Sequence, residues 1–274
     1  MPVKKTGLNR RGVKTAAPKR RATNKTAPKK RAAKKPYQPK VTPELRARAR
    51  RVLGRLETAY PDWGPTLEFS DPLELLVATI LAAQAQDERI NEVTRTVVFP
   101  KYRTAADYVA VQSAVLEHDL KPTGFFRQKA KAVKGAALGI VERFGGEVPR
   151  DMEGLTSLHG VGRKTASIVL ANAFGIPAVA VDRHVARVAG RLGLSRQADP
   201  DRIEQDLRAV FPEKEWVKAT WNLVLHGRRI CNPTPKCPEC PVIDLCPYPR
   251  KTKAVSSASR AILPTSRGRA AARR

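Results

Sequence analysis

Apolar positions along this chain fall at helical spacing, and almost nowhere do they alternate. Leu45, Val52, Leu53, Leu56 and Tyr60 lie on one stripe, with Thr42 placed to cap a helix and Pro43 at its first position. A second start signal, Asp71-Pro72-Leu73-Glu74, joins a cap, a proline at N1 and an acid at N3. The run LLVATILAAQA at 75–85 follows and is apolar on every side, as a helix at the centre of a domain would be. Gln84 and Gln86 at its end are polar where a core is expected. The same periodicity predicts helices near 88–97, 113–119, 126–144, 151–157, 164–174, 182–192, 200–210 and 215–229, with Gly145-Gly146 ending the one over 126–144. IPAVAV at 176–181 is the only β-like run, and it is too short to found a sheet. The expected fold class is all-α, without internal repeats.

Composition changes the picture at the two ends. The chain has 274 residues, 42% of them hydrophobic, enough to bury one or two cores. Its formal charge is +27, yet residues 1–40 carry 15 Lys/Arg and 247–274 carry 8, with no acid in either segment. Between them 29 basic residues face 25 acidic ones. Both ends, rich in Ala, Lys, Pro and Arg, are expected to be disordered tails, serving either solubility or attachment to nucleic acid by counterion release. The basic N-terminus leads into no apolar segment of the secretory kind, and 75–85 is too short to span a bilayer. The expectation is a soluble, cytoplasmic protein with no membrane partner.

LHGVGRKTA at 158–166 is the first candidate for chemistry. Gly160 and Gly162 allow a tight turn between two helices, and the N–H groups of Gly160, Val161 and Gly162 would then meet an anion such as a DNA phosphate at a helix N-terminus. Lys164 opens that helix beside Arg163. It suits a phosphate contact; equally, a lysine at the positive end of the dipole, next to another cation, suits an amine nucleophile. Asp182, between AVAV and the next helix, is either an N-cap or a carboxylate that stabilises a cationic sugar.

Cys231, Cys237, Cys240 and Cys246 fall within sixteen residues, in the pattern C-x5-C-x2-C-x5-C. Four thiolates on one short loop, with no secretory signal, read as a metal site rather than two disulfides. Spacing alone leaves zinc and an iron–sulfur cluster both open.

Taken in order, LHGVGRKTASIVLANAF, VAVDRHVARV, LHGRRIC and the cysteine loop resemble the endonuclease III family of helix-hairpin-helix DNA glycosylases, with LAAQAQD at 81–87 and GGEVP at 145–149 extending the likeness from about Leu45 to Cys246. The resemblance implies two all-α lobes: a six-helix barrel over 65–176, and a second lobe made of 41–64 with 177–246, flanked by the tails 1–40 and 247–274. It implies a monomer acting on double-stranded DNA with damaged pyrimidines or abasic sites, associated with the nucleoid. Lys164 and Asp182 fall on the family's catalytic lysine and aspartate, and the four cysteines on its [4Fe–4S] ligands. Gln84 matches the residue that fills the gap left by an extruded nucleotide, and Phe125 the apolar wedge against the opposite strand. Gly160, Val161, Gly162, Arg163 and Lys236 complete the expected DNA contacts. The implied reaction is attack of Lys164 on C1′, loss of the base, a Schiff base, and β-elimination.

The sequence departs from the family pattern in four places. The first two cysteines are separated by five residues instead of six, and NPTPK between them offers only Lys236 as a cation. His159 stands where proline is common, and Arg183 where threonine is common. Monofunctional mismatch glycosylases share the hairpin, aspartate and cluster but lack a lysine at the position of Lys164. A DNA-binding paralogue without turnover is the alternative outside enzymes, and retention of both Lys164 and Asp182 argues against it.

Overall fold

The computed structural model describes residues 37–253. Within them the helices are α1 (Pro43–Ala59), α2 (Pro72–Leu81), α3 (Asp87–Val93), α4 (Phe99–Lys101), α5 (Ala105–Ala110), α6 (Ser113–Leu120), α7 (Phe126–Phe144), α8 (Met152–Thr156), α9 (Arg163–Ala173), α10 (Arg183–Arg191), α11 (Pro200–Val210) and α12 (Trp216–Arg229). No strand occurs among the described residues, so the all-α expectation holds.

The helix starts follow the local chemistry. Thr42 Oγ1 accepts from Leu45 N at 3.2 Å, and Asp71 Oδ1 accepts from Glu74 N at 2.9 Å, while Glu74 reaches back to Ser70 N at 2.7 Å. Two expectations need correction. First, α2 stops at Leu81 and not within 82–85, because the chain reverses there to enter α3. Gln84 therefore lies in the turn, exposed, with a left-handed φ of 53°. Second, α5 was not expected: six residues are too few for an apolar period. Its capping box, Thr104 with Asp107, was nonetheless written in the sequence. Between α3 and α4 the backbone widens into a π-helical stretch, Thr94–Val98, where the Thr94 and Thr96 hydroxyls bond back to Ile90 and Glu92 carbonyls.

Two separate hydrophobic cores result. The first is built around α2, whose Leu75, Leu76, Val77, Ala78, Ile80 and Leu81 are all buried, with α3, α5–α7 and α9 against it; its members run from Leu75 to Ala178. The second takes α1 at one end of the chain and α10–α12 with the cysteine loop at the other, from Ala49 to Tyr60 and from Val179 to Leu245. The chain thus crosses between cores at Ala178–Val179, in the run that looked β-like.

The expected tail boundaries are corrected by a few residues at each end. Tyr37 is held by an Oη bond of 2.5 Å to Asp206 and by the Arg202 guanidinium over its ring at 5.3 Å. After Cys246, Arg191 stacks on Tyr248, and Thr252 bridges Pro235 O at 2.5 Å and Cys237 N at 3.1 Å. The rest of both tail assignments, 1–36 and 254–274, lies outside the described residues.

Candidate functional site

The hairpin forms where expected. Gly160 takes φ +78°, and a Cβ there would sit 2.8 Å from Ala132 Cβ on α7, so only glycine lets the turn approach. His159 packs its ring over Gly135, where a Cβ would lie 2.7 Å away; the small residue on α7 makes room for the unusual side chain. One expectation is corrected here. The Val161 N–H is not open to an anion, since it bonds Leu158 O at 3.2 Å as part of the turn. Gly162 caps α9 in extended conformation.

Arg163 and Lys164 point to different tasks. Arg163 donates to the buried Glu204 of α11 through Nε at 3.1 Å and Nη2 at 2.7 Å, and approaches Asp201 at 3.5 Å. Its hydrogen bonds to Glu204 hold the guanidinium firmly protonated, and its charge is offset there. This pair ties the hairpin of the first core to a helix of the second. Lys164 is left half exposed, with Nζ 4.0 Å from Asp182 Oδ2.

Asp182 serves both readings at once. Its Oδ1 caps α10, accepting from His184 N and Val185 N, each at 2.8 Å, while Oδ2 faces Lys164. Two backbone bonds fix the carboxylate, and its side chain is only 13% exposed. Next to it, burial pushes the His184 imidazole below its usual value, with Asp182 acting in the opposite sense. Arg183 folds over that ring, its Nε 3.4 Å from His184 Nε2.

Lys164, Asp182, Arg183 and Gln84 all line one cleft of about 500 Å³ between the two cores. That is the size of an ordinary small-ligand site, roughly 300–1,000 Å³. Its walls are crossed by two contacts that sequence reading missed: Trp221 Nε1 donates to Asn172 Oδ1 at 3.2 Å, and Arg228 pairs with Asp87 at 3.2 Å. Their partners are 49 and 141 residues apart, so no local pattern announces them.

Phe125 does not line the cleft. It stands 63% exposed with φ +47°, and it shares with Gln84 a property no other non-glycine residue in the described part has, a left-handed backbone. Such a conformation costs about 1–3 kcal/mol and persists only where the surroundings enforce it. The buried Lys129 ties α7 to the turn before Phe125, donating from Nζ to Thr123 O at 2.7 Å. This contact was also missed, because a lysine four residues into a helix reads as a solvated one.

The four cysteines line a second cavity together with Arg191, His226 and Tyr248, and Lys236 is exposed on the same loop. The missing residue between Cys231 and Cys237 does not keep the four apart. Burial pushes the thiols of Cys240 and Cys246 up, and a bound cationic centre is what offsets that cost. Arg191 Nη1 lies 3.4 Å from Cys231 Sγ, a charge suited to a thiolate. Among the described residues no three His, Cys, Asp or Glu side chains converge on a point that one ion would fill. The donor set is four soft sulfurs around one cavity, which fits a thiolate-bound metal centre.

Comparisons with known proteins agree with this layout. A family model described as HhH-GPD superfamily base excision DNA repair protein matches residues 77–213. Endonuclease III of Synechocystis sp. is 46% identical over 202 residues, covering 73% of this chain and 92% of that one. This chain belongs to the endonuclease III family. The Bacillus subtilis member is 42% identical over 196 residues, 71% of this chain and 89% of its own. A solved endonuclease III, trapped as a covalent intermediate with DNA, matches with a TM-score of 0.71 at 39% identity, over 76% of this chain and 97% of its own. The family model spans the hairpin and Gln84, Lys164, Asp182 and Arg183 of the cleft, while α1, α12 and the cysteine loop lie outside it. No helix of the described residues is long and apolar enough to cross a membrane.

Proposed function

We infer that this protein is a bifunctional DNA glycosylase and AP lyase of base excision repair, which removes oxidised pyrimidines and cuts the strand by β-elimination. The observation that carries the assignment of roles is Lys164 Nζ, 4.0 Å from a fixed Asp182 carboxylate in a cleft of about 500 Å³. Double-stranded DNA lies across the mouth of that cleft, and the damaged nucleotide is turned out into it. The Gly160–Gly162 turn meets a phosphate, Phe125 wedges the opposite strand, Gln84 fills the vacated stack, and Lys236 adds a cation on the cysteine loop. The left-handed backbones of Gln84 and Phe125 support this reading, since strain is retained where side chains must be aimed.

In the reaction the Lys164 amine attacks C1′, and the glycosidic bond breaks with its electron pair leaving on the base, which takes up a proton. Asp182 Oδ2 stabilises the positive charge that grows on the sugar. The ammonium now bonded to C1′ gives up one N–H proton, and the C1′–O4′ bond breaks with O4′ taking up a proton, which leaves a protonated Schiff base between Lys164 and the open sugar. Removal of a C2′ proton then expels the 3′ phosphate oxygen, and hydrolysis of the imine frees Lys164. The exclusive use of Asp182 Oδ1 in capping keeps Oδ2 directed at this chemistry.

Cys231, Cys237, Cys240 and Cys246 hold a [4Fe–4S] cluster in this reading. Bound there, it would supply a rigid, redox-capable clasp for a loop with little regular structure. The domains are the six-helix lobe over 65–176 and the cluster lobe of 41–64 with 177–246, and the protein acts as a monomer on nucleoid DNA in the cytoplasm. The two hydrophobic cores support that division.

Borohydride trapping on a duplex carrying thymine glycol tests the assignment. The wild-type chain is expected to form a covalent adduct and Lys164→Gln none. An adduct in both proteins would move the nucleophile elsewhere, and an adduct in neither, with tight binding retained, would make the enzyme monofunctional.

A further inference from the structure

Tyr60 and His226 are 166 residues apart in the chain and meet in the second core. Tyr60 closes α1, its N–H bonded to Leu56 O, and His226 sits in the last turn of α12 at 1% exposure. Tyr60 Oη lies 2.8 Å from His226 Nδ1. The other ring nitrogen, Nε2, lies 3.7 Å from Cys240 Sγ, within the longer reach of a sulfur acceptor. On its outer side Tyr60 is covered by the Arg229 guanidinium, 5.3 Å from the ring centroid, which pairs in turn with Asp62 at 2.6 Å. His226 also lines the cavity that the four cysteines share.

Proton accounting assigns each group its part. A cysteine that ligates iron has no S–H proton, so its sulfur only accepts. The nitrogen facing it must then carry the proton of a neutral imidazole. That leaves Nδ1 with a lone pair, and the Tyr60 hydroxyl is the donor that fills it. One tautomer and one ring orientation satisfy all three groups.

We propose that His226, oriented by Tyr60, is a hydrogen-bond donor to the Cys240 ligand sulfur and thereby sets the reduction potential and the retention of the cluster. The proposal rests on the cluster reading above. A donor to a ligand sulfur draws off negative charge and so favours the more reduced cluster. Arg191 makes the corresponding contact to Cys231 Sγ, so two of the four sulfurs meet a donor from a helix of the second core. His226 touches neither Lys164 nor Asp182 within its hydrogen bonds, and its effect is on the cluster rather than on the reacting atoms.

The test uses the full chain purified without oxygen, as wild type, His226→Phe, His226→Gln and Tyr60→Phe. Iron and sulfide analysis comes first, followed by a redox titration on DNA and by electron–nuclear double resonance of the paramagnetic cluster in light and heavy water. Wild type is expected to hold four irons and to show an exchangeable proton coupled to the cluster. His226→Phe should shift the potential negative, lose that coupling and release iron to a chelator faster. His226→Gln keeps an N–H donor and should return the potential toward wild type, and Tyr60→Phe should give a smaller negative shift. Unchanged potential and coupling in iron-replete His226→Phe would overturn the proposal. Should that variant fail to retain iron, an unshifted Tyr60→Phe overturns it equally. A wild-type chain without iron or sulfide refutes the cluster reading itself, and this proposal falls with it.

Discussion

The two cores are closed by different means. The first core is helix packed on helix around an apolar α2, with a few buried polar groups such as Asp119 and Lys129 at its margin. The second core ends in the cysteine loop, which has only single 3-10 turns and leaves many carbonyls without helical partners. Arginines satisfy them: Arg187 donates to Cys231 O at 2.9 Å and Gly227 O at 2.8 Å, and Arg191 to Asn232 O at 2.6 Å and Pro233 O at 3.0 Å. Arg48 reaches from α1 to Leu192 O at 2.5 Å, at the C-terminal end of α10, and to Leu245 O at 3.3 Å. A region too irregular to pair its own backbone borrows long cationic side chains from the helices beside it. The pair to which we assign catalysis joins the two styles, with Lys164 on a helix of the first core and Asp182 at the cap of a helix of the second.

The sharpest break of that comparison is at the junction. Lys164→Gln is expected to remove strand cleavage altogether, while binding to a duplex with an uncleavable abasic analogue stays within a few-fold; equal losses of both would assign the lysine to binding. Asp182→Asn preserves the cap, because asparagine is as good an N-cap as aspartate, and removes only the charge. Base excision in single turnover should slow by about 10²–10³-fold with an unchanged melting temperature, whereas a large drop in melting temperature would mean that the carboxylate charge serves the fold.

Within the cores the expected effects are smaller and differ in kind. Leu76→Ala in α2 should cost about 2–5 kcal/mol in denaturant unfolding, since a fully packed helix cannot collapse onto the cavity. Arg191→Met should cost about 1–3 kcal/mol by orphaning loop carbonyls, and iron should be released faster to a chelator; unchanged iron release would show that the loop holds itself. The smallest effect belongs to Tyr37→Phe, about 0.5–1.5 kcal/mol for its bond to Asp206, read from the urea midpoint.

Much of this was legible from the sequence, and the reason lies in its periodicity. α7 and α11 fall where the pattern put them, because their apolar stripes are bounded by sharp stops and starts. Lys164, Asp182 and the cysteines could be named because each stands in a short local motif. The turn at Gln84 was not legible: alanines continue a helix as readily as they end one, and only the reversal into α3 decides. The same holds for Arg163, which reads as a free cation beside a glycine turn until Glu204, 41 residues on, is brought to it.

By itself, then, the sequence determined the helical class, the helix starts, the hairpin and the positions of the candidate lysine, aspartate and cysteines, all of which depend on neighbours within a turn or two. The tertiary structure alone decided that Lys164 and Asp182 face each other across a cleft, and that Tyr60, His226 and Cys240 form one line of hydrogen bonds. Those contacts join residues 14 to 166 positions apart, where no local pattern fixes the distance and the packing of the two cores does.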